Sequence, residues 1–299
     1  MEKRVRFRSW WLPYALIAPQ MAVTVVFFFW PAGQALYQSL YIQDAFGGGL
    51  QFVGLDNYTR LVNDGAIWAS LSVTLRFAIL YLPVSILVPF VIALGLNSKL
   101  IRGAGIMRSL FFMPYVVPFV AGVLIWNQML GPSGWFNEGL KLLGWADPPD
   151  WFYDETWIYP GFAIIGLWGI GAGIIINLAG LRGIPTELYE AARIDGAGAW
   201  KQLRHVTVPM MSPVLFYSLI LGVVEVLQYF LVPLVLKNGT GEPGGSTMFF
   251  NLNLFRTFFA FQQMSYGATM AWLLFLITLV VTLVLFRLSR RFVFYAGER

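Results

Sequence analysis

Long apolar runs separated by short polar stretches dominate the chain, and they are continuous rather than alternating, which excludes the strands of a membrane barrel. A helix that crosses a bilayer needs about 20 mostly apolar residues at about 1.5 Å of rise each. Six segments meet that demand: roughly Trp11 to Ala35, Leu71 to Leu96, Ile106 to Leu130, Ile158 to Leu178, Pro213 to Leu236 and Thr269 to Phe286. Six such runs with so few charges between them do not suit buried helices of a soluble protein. The pattern predicts an all-α, polytopic membrane protein organised as one transmembrane domain over 1–299, with a polar tail over about 1–10 and core helices over about 71–290. The opening "MEKRVRFR" and the apolar run behind it resemble a signal peptide. The run is too long for one, and Pro19 in "ALIAP" falls where a small-residue cleavage site would lie, so an uncleaved first span is expected.

Composition sharpens this picture. Of 299 residues, 58% are hydrophobic and only 12% charged, against about 45–50% and about 25% in soluble domains. With no cysteine and the single His205, Cys-ligated zinc, iron–sulfur clusters, thiol nucleophiles and His-rich metal sites are excluded, and neither a catalytic residue nor a bound metal is expected. The net charge of +5 points at first to nucleic acid. Its placement says otherwise. With the N-terminus in the cytoplasm, fifteen basic residues fall inside: Lys3, Arg4, Arg6, Arg8, Lys99, Arg102, Arg108, Arg182, Arg193, Lys201, Arg204, Arg287, Arg290, Arg291 and Arg299. Only Arg60, Lys141, Lys237 and Arg256 fall outside, where the acids Asp44, Asp56, Asp64, Glu138, Asp147, Asp150, Asp154, Glu155 and Glu242 collect. The positive-inside rule therefore predicts that both termini are cytoplasmic.

Two outer loops, Ile42 to Ser70 and Gly131 to Trp157, are rich in turn formers and aromatics, and a third, "KNGTGEPGGST" from Lys237, cannot be helical. "NYT" at Asn57 and "NGT" at Asn238 fit the glycosylation acceptor pattern, which recurs often by chance. The inner loop from Gly180 to Pro213 is different. Pro185 marks a first turn, Glu187 and Glu190 follow early, and Leu188, Ala191, Ala192 and Ile194 supply an apolar face. Gly196 and Gly198 end that helix; a second short one carries Trp200, Leu203 and Val206, and Pro209 and Pro213 redirect the chain into the fifth span. Such an amphipathic helix–turn–helix fits a segment lying on lipid as well as a docking element for a cytoplasmic partner.

Glu190-Ala191-Ala192, Gly196 and then Val206-x-Val208-Pro209 are similar to the "EAA" loop of bacterial ABC importer permeases, with Val206 and Val208 where that pattern has Ile and Leu. The resemblance covers nearly the whole chain. "FVGLDNYTRL" from Phe52, "ALGLNSKLIRG" from Ala93, "RSLFFMPYVVPFVAGVLIW" from Arg108, "GEPGGST" from Gly241 and "YGAT" from Tyr266 resemble the carbohydrate-importing branch, in particular its maltose- and glycerol-phosphate-type first permease subunit. Thr240 and Glu242 interrupt the glycine run of the family's outer loop. The resemblance implies a type I importer permease fold in the cytoplasmic membrane of a bacterium or archaeon. It also implies a second, homologous permease, two cytoplasmic ATPase subunits that carry ATP and Mg²⁺, an extracytoplasmic solute-binding protein, and transport of a sugar or related solute. Carried over by residue, it makes Glu190, Ala191, Ala192, Asp195 and Gly196 the coupling contact to an ATPase subunit within a loop over about 180–213; the competing role for Glu190 is an i,i+3 pair with Arg193.

No G-x-x-x-x-G-K-[ST] occurs, and "GAGAWKQ" from Gly196 lacks its second half, so no ATP cofactor is expected on this chain. Two ionisable groups lie within spans. Arg76 is near the outer end of the second and can snorkel. Glu225 lies well inside the fifth, where Gly222, Gln228 and Tyr229 would share its helical face and form a polar, aromatic stripe suited to a sugar; pairing with the partner permease is its other role. Trp168 in the fourth span serves path or packing. Gly166, Gly169, Gly171 and Gly173 suit close packing, Gly169 and Gly173 as G-x-x-x-G, and Asn127, Gln128 and Asn177 read as interface polar groups. The rival class is an ion-coupled secondary transporter, which commonly shows inverted repeats, broken helices and several intramembrane carboxylates. One central acid and a docking loop argue against it.

Overall fold

The computed structural model describes residues 11–43, 49–98 and 103–294. The basic residues Lys3, Arg4, Arg6, Arg8, Lys99, Arg102 and Arg299, and the acid Asp44, lie outside them. In chain order the elements are α1 (Leu12–Thr24), α2 (Trp30–Ser39), β1 (Tyr41–Gln43), β2 (Leu50–Phe52), α3 (Asp56–Asn63), α4 (Gly65–Asn97), α5 (Ala104–Val116), α6 (Phe119–Met129), α7 (Trp135–Leu142), α8 (Ile158–Trp168), α9 (Gly171–Arg182), α10 (Thr186–Ile194), α11 (Ala199–Gln202), α12 (Val208–Leu227), α13 (Leu231–Lys237), α14 (Phe250–Phe255) and α15 (Met264–Phe292). Single π turns at Val25–Phe29 and Leu203–Thr207 join neighbouring helices, and one at Arg256–Ala260 extends α14.

Four helical runs are long and apolar enough to cross a membrane: Leu12–Ser39, Gly65–Asn97, Ala199–Lys237 and Met264–Phe292. The other two expected spans are broken. α5 and α6 meet at 101°, and α8 and α9 at 62°. At the first break Pro118 forces Val117 into extended backbone (ψ 134°), because its ring clashes with a helical predecessor. At the second, Gly169 closes α8 with a short i→i−3 bond to Gly166, and α9 starts afresh at Gly171. The G-x-x-x-G pair is therefore split, with Gly169 outside both helices, and cannot act as one packing stripe.

The chain groups into two compact units, Met1–Asp64 with Leu254–Phe275, and Gly65–Asn253 with Leu276–Arg299. In the first, β1 and β2 pair antiparallel with Tyr41 opposite Phe52. Asn57 of α3 is buried, and its amide donates to the carbonyls of Ser39 and Tyr41, each at 2.8 Å. That amide caps the end of α2 and is not offered as a glycosylation acceptor. In "YGAT", the Tyr266 hydroxyl donates to Asp64 at 2.9 Å, and the Arg60 guanidinium lies 4.0 Å from its ring centre.

The second unit holds two cores. One is aromatic: Phe77 stacks on Tyr81 (centroids 5.1 Å, 11°), and Tyr229 lies 4.8 Å from Phe77 and 5.0 Å from Phe249. The other joins α4, α9 and α12 through Phe90, Ala93, Leu96, Ile174, Leu178, Leu181, Ile184 and Met211. The glycine-rich loop folds on itself: the hydroxyls of Thr240, Ser246 and Thr247 donate to the carbonyls of Lys237, Pro243 and Glu242. Behind it Thr74, fully buried on α4, donates to Ser70 and accepts the Phe250 N–H at 2.9 Å, which anchors the start of α14. Thr74→Val keeps the shape but leaves that N–H unpaired. It should destabilise the purified protein by about 1–3 kcal/mol in thermal unfolding, whereas Thr74→Ser should lose less than half of that.

Candidate functional site

The loop after α9 begins at Ile184, which is sunk in the α4–α9–α12 core. Pro185 (ψ 133°) is the N-cap of α10, one position ahead of the first turn that it was expected to open. The end of α10 is a Schellman motif: Ala197 N–H bonds back to Ala192 and Gly196 N–H to Arg193, with Gly196 at φ +74°. A side chain at Gly196 would meet open space, so the left-handed backbone alone calls for glycine there. Glu190, Ala191, Asp195 and Gly196 are exposed and Ala192 is half-buried; Ile194 and Trp200 are 87% and 73% exposed. Arg193 donates to the Tyr189 carbonyl, and among the described residues no ion pair joins it to Glu190.

The exposed loop is braced from behind. The Tyr189 hydroxyl pairs with Thr207 at 3.0 Å, and the Gln202 amide donates to the Ala197 carbonyl at 2.7 Å. Helix then runs without interruption from Ala199 to Leu227. The prolines expected to turn the chain do not. The π turn at Leu203–Thr207 gives Pro209 room, and the carbonyl that Pro213 cannot serve accepts the Ser212 hydroxyl at 2.6 Å. Glu225 sits near the far end of this rod.

There a cleft of about 390 Å³ opens between α4, the α8–α9 break and α12. Tyr81, Ser85 and Pro89 form one stripe of α4, and Ser218, Gly222 and Glu225 one stripe of α12. The missing side chains of Gly166, Gly169 and Gly173 make the space, and Tyr115, Tyr217 and Asn177 add polar groups. The Tyr81 hydroxyl donates to Glu225 at 3.3 Å. Gly166 holds that phenol in place, since a Cβ there would come within 2.6 Å of the Tyr81 ring edge and hydroxyl. Gly171 lies just as close to backbone: a Cβ would stand 2.5 Å from the Phe111 carbonyl. Asn177 is buried, donates to Gly173 at 2.8 Å, and leaves its Oδ1 without a partner.

The expected path residues are thus divided. Glu225 and Gly222 line the cleft; Gln228, Tyr229 and Trp168 do not. α12 ends at Leu227, so Gln228 and Tyr229 lie past the helix and outside the cleft lining. The cause is Pro233, which fits the first turn of α13 but has no N–H for the Tyr229 carbonyl in a continued helix. Tyr229 fills the aromatic core, and the Gln228 carbonyl receives the Asn251 amide at 2.8 Å. Trp168 sets the edge of its indole against Gly122 of α6, 6.4 Å from Trp126, and so serves packing. Tyr81, Ser85, Ser218 and Asn177 were missed as wall residues. Extending the stripe of Glu225 toward the N-terminus, through Gly222 to Ser218, would have found the last turn of it.

A braced, exposed helix–turn–helix joined by one rod to a polar cleft among apolar helices defines a solute-passing membrane protein. A family model described as binding-protein-dependent transport system inner membrane component matches residues 66–294, and the chain belongs to that family. The probable ABC transporter permease protein YesP of Bacillus subtilis is 30% identical over 287 residues, covering 95% of this chain and 92% of that protein. The sn-glycerol-3-phosphate transport system permease protein UgpA of Pectobacterium atrosepticum is 32% identical (97% of each chain), and the lactose transport system permease protein LacF of Rhizobium radiobacter 31% (93% of each). Among solved structures, a bacterial alginate ABC transporter, in complex with alginate pentasaccharide-bound periplasmic protein, shares the fold with a TM-score of 0.80 at 21% identity over 94% of both chains. The chain is thus an ABC importer permease and not the ion-coupled rival, whose broken helices it nevertheless shares.

Gly166→Ala should displace the Tyr81 phenol and lower transport several-fold at unchanged protein level in the membrane. Gly169→Ala, whose Cβ would meet only the Gly166 carbonyl at an ordinary 3.8 Å, should transport nearly as the parent does.

Proposed function

We propose that this chain is the first of two related permease subunits that move a sugar or similar polyhydroxylated solute inward across the cytoplasmic membrane by alternating access. Both termini face the cytoplasm, as do the two ATPase subunits, which hold the ATP and Mg²⁺; a solute-binding protein delivers cargo from outside. Relatives named for sn-glycerol-3-phosphate and lactose support a polyhydroxylated cargo. The loop around Glu190, Ala191, Ala192, Asp195 and Gly196 is the contact to an ATPase subunit. ATP-driven closure of the ATPase pair pushes on it, and the helices rock from inward- to outward-facing; hydrolysis reverses the motion.

One observation carries this reading: the unbroken helical run from Ala199 to Leu227, which joins the exposed loop to Glu225 in the cleft. At about 1.5 Å per residue it spans about 40 Å, so a push on the loop is delivered to the cleft wall without a hinge. The small side chains of Ala191 and Ala192 allow a close seat for a partner, and the Schellman turn fixes the angle at which α10 leaves.

Vesicles that carry the full transporter should take up solute with ATP after ion gradients are collapsed. Gradient-driven uptake by this chain alone would overturn the assignment. Gly196→Asp places a side chain on left-handed backbone, at a cost of about 1–2 kcal/mol, and adds charge at the contact. It should abolish uptake and weaken capture of the ATPase subunit while the protein stays in the membrane; normal uptake would refute the coupling role.

A further inference from the structure

We propose that the cleft admits neutral polyhydroxylated solutes and rejects sugar acids and sugar phosphates, with Glu225 setting the discrimination. This rests on the importer reading and narrows its class of cargo. Charge on the wall decides the matter. Among the described residues that line the cleft, Glu225 is the one acid, and none is Lys, Arg or His. Its side chain lines the space, and its carboxylate receives a hydrogen bond from the Tyr81 hydroxyl, a neutral donor that brings no countercharge.

A carboxylate offers about four lone-pair positions, and Tyr81 takes one. The rest suit hydroxyl donors, which a sugar presents in number. Among the other polar groups on the wall, the Ser85 and Ser218 hydroxyls donate to the Leu82 and Val214 carbonyls and so accept from a polyol, as the Asn177 Oδ1 can, while the hydroxyls of Tyr115 and Tyr217 both donate and accept. A phosphate or carboxylate cargo fares differently. It would give up water for a wall without a cation and, with Glu225 ionised, would face a like charge where reduced dielectric strengthens repulsion. Sites built for such anions supply charge-assisted donors, commonly arginine, and this wall has none.

The test uses the assembled permease–ATPase complex in nanodiscs, without binding protein, and radiolabelled probes paired by carbon frame: lactose with lactobionate, and glycerol with sn-glycerol 3-phosphate. The parent should retain the neutral member of each pair about tenfold or more over the anionic one. Glu225→Gln should weaken the neutral member, since an amide accepts less strongly, and strengthen the anionic one, so that the ratio falls toward one. Equal retention of both members by the parent, or a ratio that Glu225→Gln leaves untouched, would overturn the proposal. Restoring the binding protein and ATP in the same preparation tests the importer reading separately. ATP-driven uptake together with anion retention sinks the selectivity alone; loss of ATP dependence sinks the reading beneath it. Retention of neither member in either pair counts against both.

Discussion

Inside a bilayer every backbone N–H and C=O needs a partner, because lipid offers none. That constraint governs where this chain can break its helices. The α8–α9 break opens onto the polar cleft, with Gly169 and Ile170 on its wall. The α12–α13 break is roofed by the aromatic core of Phe77, Tyr229 and Phe249. Pro213 stays inside a helix because Ser212 occupies the carbonyl that the proline strands. Irregular backbone is tolerated where protein or cavity lines it, and the cleft exists because the chain breaks there.

The same rule explains the glycines. Gly166 and Gly173 are absences that α4 fills partly: Tyr81 leans over the first, and Pro89 lies against the second. What remains is space. Gly171 serves a different end, since it lets α9 press on the backbone of α5 at Phe111. One cluster of small residues in a single stretch of sequence thus performs two tasks, packing one side and opening the other.

Six apolar spans and their order were legible because burial in lipid leaves a composition signal in each span by itself. The breaks were harder to read. Pro118 and Pro233 were visible, yet prolines also sit inside intact helices here, as Pro83, Pro89 and Pro213 do. Whether a proline breaks a helix depends on which neighbour takes the freed carbonyl, and that neighbour is set by tertiary contact. Glu225 could be found because a lone acid in a span is costly. Tyr81 and Asn177 could not: the partner of Tyr81 comes from α12, that of Asn177 is a carbonyl of its own helix α9, and nothing in an isolated apolar run distinguishes a wall tyrosine from a core one. Trp168 and Tyr229 were misplaced for that reason.

The rod from Ala199 to Leu227 joins two environments that need opposite things. At its loop end the chain leaves Ile194 and Trp200 in the open, a state that water penalises until a partner or lipid covers them. At its other end it holds a carboxylate among apolar helices with one tyrosine hydroxyl for company. Both ends leave groups that a partner or cargo could satisfy, and one continuous helical run lies between them. The braces at Tyr189–Thr207 and Gln202–Ala197 keep the loop from swinging free of the rod. A loop that swung freely would absorb a push as local motion; one tied at both sides passes it on. What the fold supplies is that absence of slack between an exposed, partly apolar loop and the cleft wall that carries Glu225.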